Sequence, residues 1–313
     1  MVDEFELIIK MNALWMASLT LASAHILLAL AFTLAFSTIE APNFSIGTIM
    51  TFGAYQSFIL SRIMNLPVYL NLPLSIITGF LINSIIYLTI IKPLTCRNSS
   101  KIMLTIATMG LSIALTGVLQ VIVYWLRETY EIYSFVFLLK AYDYNIWGIP
   151  GVFLTSSILC FFVYFSLRYY FKHTRIGIGH KAIQENLELA QIQGIDIQKT
   201  WLLVWGFSGS LSCLAGSLIP LWFSFTVTSG TLMITPIIAA SLLGGISSTR
   251  GFFLGGLITG VLEIMITTVG MARFGNWVGE YRPIIPMIII VLVLYFKPEG
   301  LLGSQNRYEK LLT

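Results

Sequence analysis

Two ionisable side chains lie well inside apolar segments of this sequence, and they are the first candidates for chemistry. They are His25, in the first apolar segment, and Glu263, in the eighth. An ionisable group at membrane depth is costly in lipid and usually faces the protein interior. We therefore place Glu263 either on a solute pathway or in an internal hydrogen-bond network, or else in a structural pair with a backbone or hydroxyl group. His25 lies among Ala, Ser and Thr, which favours a satisfied polar contact over a ligand role.

The other residue types that carry chemistry form no catalytic or metal-binding pattern. His173 and His180 are seven residues apart without a supporting cluster of cysteines or carboxylates, so we predict no metal site. Cys96, Cys160 and Cys213 lack pairing or metal spacing and are predicted to be unpaired thiols. The sequence contains no P-loop, no His-Glu-x-x-His motif and no nucleophile elbow. We predict that the chain is not an enzyme and binds no cofactor of its own.

The composition is that of a membrane protein with many spans. Of 313 residues, 57% are hydrophobic and 10% are charged, and the mean hydropathy is +0.85, whereas soluble domains carry about 25% charged residues. The formal net charge of +4 is modest, and no basic stripe with interleaved aromatic residues is present, so we predict no nucleic-acid partner. The first ten residues are acidic rather than basic, so the first apolar segment is predicted to be a true span and not a removable signal peptide.

Nine apolar segments are candidates to cross a bilayer, which requires about 20 apolar residues. In chain order they are 12–37, 46–62, 68–91, 102–125, 151–171, 201–219, 231–247, 251–270 and 284–296. The second and the last are short, so either could be a re-entrant or broken helix. We therefore predict one all-α membrane domain, 1–313, built as a bundle of eight or nine transmembrane helices.

The basic residues of alternate loops predict how the bundle is oriented. One set of loops contains twelve: Lys92, Arg97, Lys101, Arg168, Lys172, Arg175, Lys181, Lys199, Arg250, Lys297, Arg307 and Lys310. The other set contains six: Lys10, Arg62, Arg127, Lys140, Arg273 and Arg282. Because loops rich in lysine and arginine stay in the cytoplasm, the N-terminus is predicted outside and the C-terminus inside. Nine crossings put the two termini on opposite sides, as this orientation requires. Eight crossings would put them on the same side, unless one of the short segments does not cross.

The longest polar segment, about 174–199, is predicted to contain a short cytosolic helix that contacts a partner. Ile183, Leu187 and Ala190 recur at helical spacing, and Gly194 is placed to end the helix. With about ten to fourteen residues, the helix is too short to span a bilayer. The basic residues at its start place the loop, about 172–199, on the cytoplasmic side.

The connection between the first two segments contains a polar break. Pro42 ends the first helix, because proline lacks a backbone donor and restricts the residue before it, while Asn43 and Ser45 can cap the second. The break is either a tight turn or a polar element on a solute pathway, since irregular backbone at membrane depth must line a cavity or be buried in protein. On the second interpretation, Asn43, Phe44 and Ser45 join Glu263 as candidates for the translocation pathway.

Two further stretches have a predicted role. The main external loop, about 126–150, carries an aromatic belt at the membrane interface or a docking surface for an external partner. Its rings are Tyr130, Tyr133, Tyr142, Tyr144 and Trp147. In the eighth segment, Gly251 and Gly255, and likewise Gly256 and Gly260, repeat at a spacing of four, which lets helix backbones approach closely. We predict that these four glycines pack helices together.

Four stretches together resemble the branched-chain amino-acid permease family of ABC importers, of the LivH/LivM type, over almost the whole chain. AIQENLELAQIQGIDIQKTWLL is similar to that family's cytosolic coupling loop at Ala182, Gln184, Glu185, Asn186, Ala190, Gly194 and Ile195. LLGGISSTRGFFLGGLITGVLE is similar to its glycine run at Gly244, Gly245, Gly251, Gly255, Gly256, Gly260 and Glu263. KPEGLLG resembles its closing motif at Pro298, Gly300, Leu301 and Gly303. NFSIGTIMTFGAY resembles a LivH-like element at Asn43, Phe44, Gly47, Gly53 and Tyr55. The sequence departs from the family at Ser45 and Ile46, which stand in place of Ala and His, and at 178–180, which lacks an Arg-Ala pair.

The resemblance implies the membrane subunit of an ATP-driven importer in the cell membrane that carries branched-chain or related amino acids. It also implies three kinds of partner: a second, homologous permease subunit in a heterodimer, two cytosolic ABC ATPases that use the ATP, and an external solute-binding protein. Ile183 and Leu187 would seat the short cytosolic helix of the segment 174–199 in an apolar groove of the ATPase. The residues assigned to coupling are Lys181, Ile183, Gln184, Glu185, Asn186, Leu187 and Gly194. The alternatives are a urea or amide ABC permease, a self-sufficient channel or secondary carrier, and a membrane enzyme or structural subunit.

Overall fold

The computed structural model describes residues 2–97, 99–146, 148–245, 251–297 and 299–302, and these are helical over most of their length. The α-helices are α1 (Val2–Ile39), α2 (Ser45–Phe58), α3 (Asn71–Ile86), α4 (Lys92–Cys96), α5 (Lys101–Tyr130), α6 (Gly151–His173), α7 (Arg175–Glu185), α8 (Leu187–Ile192), α9 (Ile197–Leu218), α10 (Ser229–Leu232), α11 (Ile234–Gly244), α12 (Gly251–Phe274) and α13 (Ile284–Phe296). Two π-helical turns, Ile59–Ile63 and Tyr87–Ile91, continue α2 and α3. Short 3-10 turns occupy Val68–Leu70, Lys140–Tyr142, Ile219–Leu221 and Asn276–Tyr281.

Six helical stretches are long and apolar enough to cross a membrane, so the chain is a polytopic helical membrane protein. They are Met11–Ile39, Val68–Cys96, Lys101–Tyr130, Gly151–His173, Ile197–Leu221 and Gly251–Phe274. Shorter apolar stretches at Ser229–Gly244 and Ile284–Phe296 correspond to the predicted seventh and ninth segments. The predicted second segment is α2 with its π-helical continuation. The predicted segments are helical where the structure describes them, except at Met233 and Gly245 of the seventh, while the number of crossings, eight or nine, stays a prediction.

Helices α1 and α9 form the centre of the bundle, since 89% and 83% of an 18-residue apolar stretch in each are buried. α9 packs against α3 and against α2, and small residues make these contacts close. A Cβ added to Gly53 of α2 would overlap the backbone of Cys213, and one added to Gly79 of α3 would overlap the carbonyl of Gly209. In a membrane, where lipid is as apolar as leucine, such close backbone packing is a main source of helix association.

Helices α5 and α6 lie at the periphery, since only 22% and 28% of an 18-residue apolar stretch in each are buried. Their exposed faces carry large apolar side chains such as Ile113, Val121 and Phe162. A soluble protein of this size rarely exposes so much contiguous apolar surface. These faces are therefore suited to contact lipid or other membrane chains.

The predicted external loop is folded onto the bundle. Its strand β1 (Val136–Phe137) pairs antiparallel with β4 (Phe225–Thr226), and β2 (Asn145–Ile146) pairs with β3 (Ile149–Pro150). The ring of Phe137 lies 5.0 Å from that of Tyr55 and 4.8 Å from that of Phe58, so part of the loop belongs to the core. The rings of Tyr130, Tyr133, Tyr142 and Tyr144 stay exposed, and Trp147 lies outside the described residues. A belt and a docking surface both remain open as interpretations.

Candidate functional site

The polar segment forms two helices, α7 and α8, which we call the coupling segment. The prediction of one continuous helix is wrong, because Asn186 adopts an extended backbone with φ −154° and ψ 110°. Its side-chain Oδ1 accepts a hydrogen bond from the backbone N–H of Leu189 at 3.0 Å, which caps the start of α8. Gly194 has a φ of +79°, a left-handed conformation that glycine adopts without steric cost and that ends the segment.

The break divides the apolar residues of the coupling segment into two sets. Ile183 and Ala190 are buried against the chain's own core, with 6% and 2% of their surfaces exposed. Leu187, Leu189 and Ile192 are exposed by 39%, 52% and 82%. The expectation that Ile183 seats on a partner therefore needs correction, because that side chain already packs inside this chain. Of the other predicted coupling residues, Lys181, Glu185, Asn186, Leu187 and Gly194 are exposed and Gln184 is half-buried.

His180 attaches the coupling segment to the end of α1, a contact that the sequence did not reveal. Its ring is 3% exposed, and its Nε2 lies 3.0 Å from Ser37 Oγ and 2.8 Å from Gln184 Nε2. One residue farther along α1, Thr38 Oγ1 accepts a hydrogen bond of 2.8 Å from the indole N–H of Trp205 in α9. The end of α1 is thus contacted by α7 and by α9, the helices that precede and follow α8 along the chain. The sequence gives one weak sign of this contact. His180 follows glycines and an isoleucine at 177–179, an apolar setting for a histidine.

The polar break before α2 is buried and tied to α5. Asn43 and Ser45 are 1% and 0% exposed, and Asn43 Oδ1 accepts hydrogen bonds from the Ser45 backbone N–H at 3.0 Å and from Ser45 Oγ at 2.7 Å. The backbone N–H of Phe44 donates to Thr108 Oγ1 at 3.4 Å, and that hydroxyl donates to the Pro42 carbonyl at 3.2 Å. The irregular backbone is therefore buried in protein, as membrane depth requires. A place on the translocation pathway stays a prediction for these residues.

Glu263 lies in a buried charge cluster with an arginine that the sequence placed in an external loop. Its Oε1 lies 2.6 Å from the Nε of Arg282, and its Oε2 lies 3.7 Å from His25 Nε2. The guanidinium of Arg282 also lies 5.4 Å from the ring centre of Phe223, which is within the range of a cation–π contact. The predicted structural pair of Glu263 with a backbone or hydroxyl group needs correction, because the side chain pairs with Arg282. The cluster ties the segment before α13 to α1 and α12.

The four glycines at the start of α12 face two neighbouring helices. A Cβ added to Gly251 or Gly255 would overlap backbone atoms of α11, at Gly244 and Ala240. A Cβ added to Gly256 or Gly260 would overlap the backbone of α1, at Ile26 and Ala22. The two predicted glycine pairs thus lie on different faces of one helix, and each face approaches a neighbour at backbone distance. The same close approach brings His25 of α1 near Glu263 of α12.

The structure describes only part of the predicted closing motif, and a search for metal-binding groups is limited to the same described residues. In the closing motif, Pro298 and Gly303 fall outside the described residues, while the Leu301 backbone N–H donates to the Leu243 carbonyl at 2.8 Å. Within the described ranges, no group of three or more His, Cys, Asp or Glu side chains could hold a metal ion. The chemistry that the described residues offer is thus polar contact, ion pairing and helix packing.

Comparisons with known proteins identify the family. Residues 14–294 match the family model described as branched-chain amino acid transport system / permease component. The chain is 33% identical to the probable branched-chain amino acid transport permease protein LivH of Methanocaldococcus jannaschii, over 92% of this chain and 91% of that protein. It is 25% identical to the permease protein BraD of a high-affinity branched-chain amino acid transport system of Pseudomonas aeruginosa, over 91% of this chain and 93% of that protein. It is 24% identical to the corresponding permease protein LivH of Escherichia coli, over 91% and 92%.

No solved structure matches the chain. The family match nevertheless includes the coupling segment, the polar break before α2 and the Glu263 cluster, because all three lie within residues 14–294. The chain belongs to the branched-chain amino acid transport permease family, and within it to the LivH side.

Proposed function

We propose that this multi-pass protein of the plasma membrane is a permease subunit that imports branched-chain amino acids with the energy of ATP hydrolysed by separate subunits. The observation that carries the proposal is the coupling segment. It exposes apolar side chains of α8, and it contacts the end of α1 through His180 of α7. The sequence contains no P-loop, and in this proposal the energy enters through contact with separate ATPase subunits.

The exposed residues of α8 define the surface on which an ATPase would dock. Leu189 and Ile192, which are three residues apart and share a face of α8, would enter an apolar groove of the ATPase in the helix-in-groove manner of recognition. Leu187, at the start of α8, would lie beside this contact. Lys181 and Glu185 would lie beside this contact at the exposed end of α7. Asn186 and Gly194 act differently, because they fix the two ends of α8. Ile183 has no part in docking and instead holds α7 to the bundle.

A displacement of α8 by the ATPase would be transmitted to the membrane helices through the end of α1. α7 contacts Ser37 of α1 through His180, and α9 contacts Thr38 through Trp205. α1 in turn carries His25, which lies beside Glu263 of α12. We infer that ATPase closure moves α1 relative to α12 between two packed arrangements, because packed helix interfaces switch in steps rather than deform continuously.

The assembly that we propose contains five chains besides the solute. This permease would pair with a second, homologous permease subunit in a heterodimer, and the pathway would lie between the two. Two cytosolic ABC ATPases would bind the coupling segments, and an external binding protein would deliver the solute. The names of the relatives support this proposal, because each describes a transport permease and the Pseudomonas and Escherichia proteins are named as parts of a transport system.

The proposed topology has nine crossings, with the N-terminus outside and the C-terminus inside. In support, the ends of α4, α5, α6 and α9 that carry most of the twelve-residue basic set lie on the same side as the coupling segment. Lys101 at the start of α5, for example, pairs with Glu40 after α1 at 2.6 Å. On the opposite side, Lys140 lies over the ring of Trp222. Arg250, Arg307 and Lys310 fall outside the described residues.

The test is ATP-driven uptake by proteoliposomes that contain the chain with its partner subunits. We expect leucine uptake to fall at least tenfold in the Ile192→Asp variant, because a charge in an apolar groove prevents docking. The conservative Ile192→Leu variant should keep uptake, and both variants should insert normally into the membrane. Uptake of leucine without any ATPase would contradict the proposal in favour of a self-sufficient carrier. Competition by urea or short amides, but not by isoleucine or valine, would contradict the proposed solute.

A further inference from the structure

One exposed face of α6 changes from aromatic to basic toward the end that leads into the coupling segment. Phe161, Phe165, Arg168 and Lys172 follow one another at the spacing of successive helical turns, so they lie on one face of the helix. All four side chains are exposed. At 1.5 Å per residue, Phe161 and Lys172 are about 16 Å apart along the helix axis. This distance is close to half of the roughly 30 Å hydrocarbon core of a bilayer, so the face has the length of one lipid leaflet.

The two cations of this face have no acidic partner among the residues that the structure describes. By contrast, Lys101 at the start of α5 lies 2.6 Å from a carboxylate oxygen of Glu40. Arg168 contacts only the hydroxyl of Tyr164, to which its Nη1 donates at 3.4 Å. Because Arg168 and Lys172 are four residues apart on the helix, their side chains are neighbours and their like charges repel. An anionic group between them would relieve this repulsion and form charge-assisted hydrogen bonds.

An aromatic surface lies next to the two cations, on the side away from the coupling segment. The ring of Phe253 in α12 lies 5.5 Å from that of Phe161 and 5.3 Å from that of Tyr164. The ring of Phe165 lies 5.3 Å from that of Tyr164. Phe253 is half-buried, whereas Phe161 and Phe165 are exposed. Phe253 therefore bridges α6 and α12, and the rings of α6 leave an apolar surface open beside it.

We propose that this face of α6 binds an anionic phospholipid such as phosphatidylglycerol. The phosphate would lie between Arg168 and Lys172, because basic side chains at the end of a membrane helix attract anionic headgroups. One acyl chain would lie along Phe165 and Phe161. A phospholipid has the chemistry that the face requires, an anionic group at one end of an apolar chain of about this length. The proposed topology assigns the lipid to the cytoplasmic leaflet, whereas binding itself rests on the face alone.

The bound headgroup would lie beside the start of the coupling segment. The hydroxyl of Thr174 donates to the carbonyl of Tyr170 at 2.8 Å and accepts from the backbone N–H of Gly177 at 3.1 Å. A Cβ added to Gly177 would overlap the backbone of Phe171. The start of α7 is thus fixed to the last turn of α6. A lipid held by Lys172 would therefore fix the position of α7 relative to the membrane surface.

The experiment titrates the purified full-length chain with phosphatidylglycerol in a non-ionic detergent and measures the lipid-bound fraction by native mass spectrometry. We expect the Arg168→Gln/Lys172→Gln variant to bind about tenfold more weakly or worse, because each basic residue near a membrane surface contributes about fivefold to the attraction of anionic lipid. The Arg168→Lys/Lys172→Arg variant keeps both charges and should bind as the wild type does. Arg97→Gln, which removes an exposed cation at the end of α4, is the matched control and should also bind normally. Phosphatidylcholine, which has no net charge, should bind the wild type and the Gln/Gln variant equally.

Four results would overturn the proposal. The first is equal binding of phosphatidylglycerol by the wild type and the Gln/Gln variant. The second is a loss in Arg97→Gln as large as that in the Gln/Gln variant, which would indicate attraction by overall charge. The third is displacement of the lipid by excess glycerol phosphate, which would indicate a site for free phosphate compounds. The fourth is loss of the lipid when the second permease subunit is added, which would mean that a protein covers this face.

None of these measurements requires transport. A failure of ATP-driven uptake would count against the proposed function alone, and the binding result would still decide whether α6 holds a lipid.

Discussion

Removal of either partner from the buried Glu263–Arg282 pair should destabilise the protein more than removal of both. The Glu263 side chain is 4% exposed and that of Arg282 is 25% exposed. Loss of one partner from a buried pair costs about 3–5 kcal/mol, because it leaves an uncompensated charge in a poorly hydrated site. Replacement of both by uncharged residues of similar volume is often close to neutral.

The two single variants should differ in a defined order. Arg282→Met leaves a carboxylate that is almost fully buried, with the buried ring of His25 at 3.7 Å as a polar neighbour, so we expect the free energy of unfolding to fall by about 4–5 kcal/mol. Glu263→Gln leaves a guanidinium that is one quarter exposed and rests on the ring of Phe223, so we expect about 3 kcal/mol. The double variant should lie within about 2 kcal/mol of the wild type, which gives a strong coupling energy between the two sites.

The assay is reversible unfolding in mixed micelles, followed by helical circular dichroism, for the wild type and all three variants. Arg273→Met is the control, because Arg273 is an exposed arginine at the end of α12, and it should change the free energy of unfolding by less than about 0.5 kcal/mol. Additive effects of the two single variants would refute the reasoning. They would mean that the two side chains contribute independently rather than as a buried pair.

Three further predictions concern packing, capping and attachment. Gly53→Val should destabilise the chain by about 3 kcal/mol or more, since its side chain would overlap the α9 backbone, whereas Gly117→Val, with open space around it, should change the melting temperature little. Asn186→Ala should cost about 1 kcal/mol of local stability. Hydrogen exchange should become faster in α8 and stay unchanged in α9. If α8 of the variant exchanges as slowly as α8 of the wild type, the capping role is contradicted. His180→Ala should lower ATP-driven uptake several-fold while insertion and ATPase binding persist, because the contact with Ser37 is lost; normal uptake would show that α1 is not driven through this contact.

The positions of the helices could be predicted from hydropathy alone, but their exposure and number of crossings could not. The predicted spans are almost wholly helical where described, because a helix satisfies the backbone groups of an apolar run within lipid. Helix α2 shows where hydropathy fails as a guide to burial. It is surrounded by other helices, and most of its residues are buried. It nevertheless includes Gly47, Thr48, Thr51 and Gln56, so its hydropathy is lower than its burial would suggest.

The site was predictable only where the signal was local. The position of the coupling segment and its glycine stop follow from nearby residues. Its break does not, because Ile183, Leu187 and Ala190 continue a helical period across Asn186, and the capping preference of Asn186 interrupts it. The sequence did not predict the partner of Glu263, because Arg282 lies in a predicted loop. No local pattern indicates which lysine or arginine of a loop folds back into the bundle.

We propose that the coupling segment, a pair of short helices on the cytoplasmic side, transmits the movement of an ATPase to the bundle. A single cysteine at Ile192→Cys tests it most directly, in a chain whose exposed Cys96 is replaced by serine. With a membrane-impermeant maleimide, we predict no labelling in intact cells, strong labelling after permeabilisation, and protection of the permeabilised sample by the bound ATPase. Labelling from outside intact cells, or labelling that the ATPase leaves unchanged, would contradict the account.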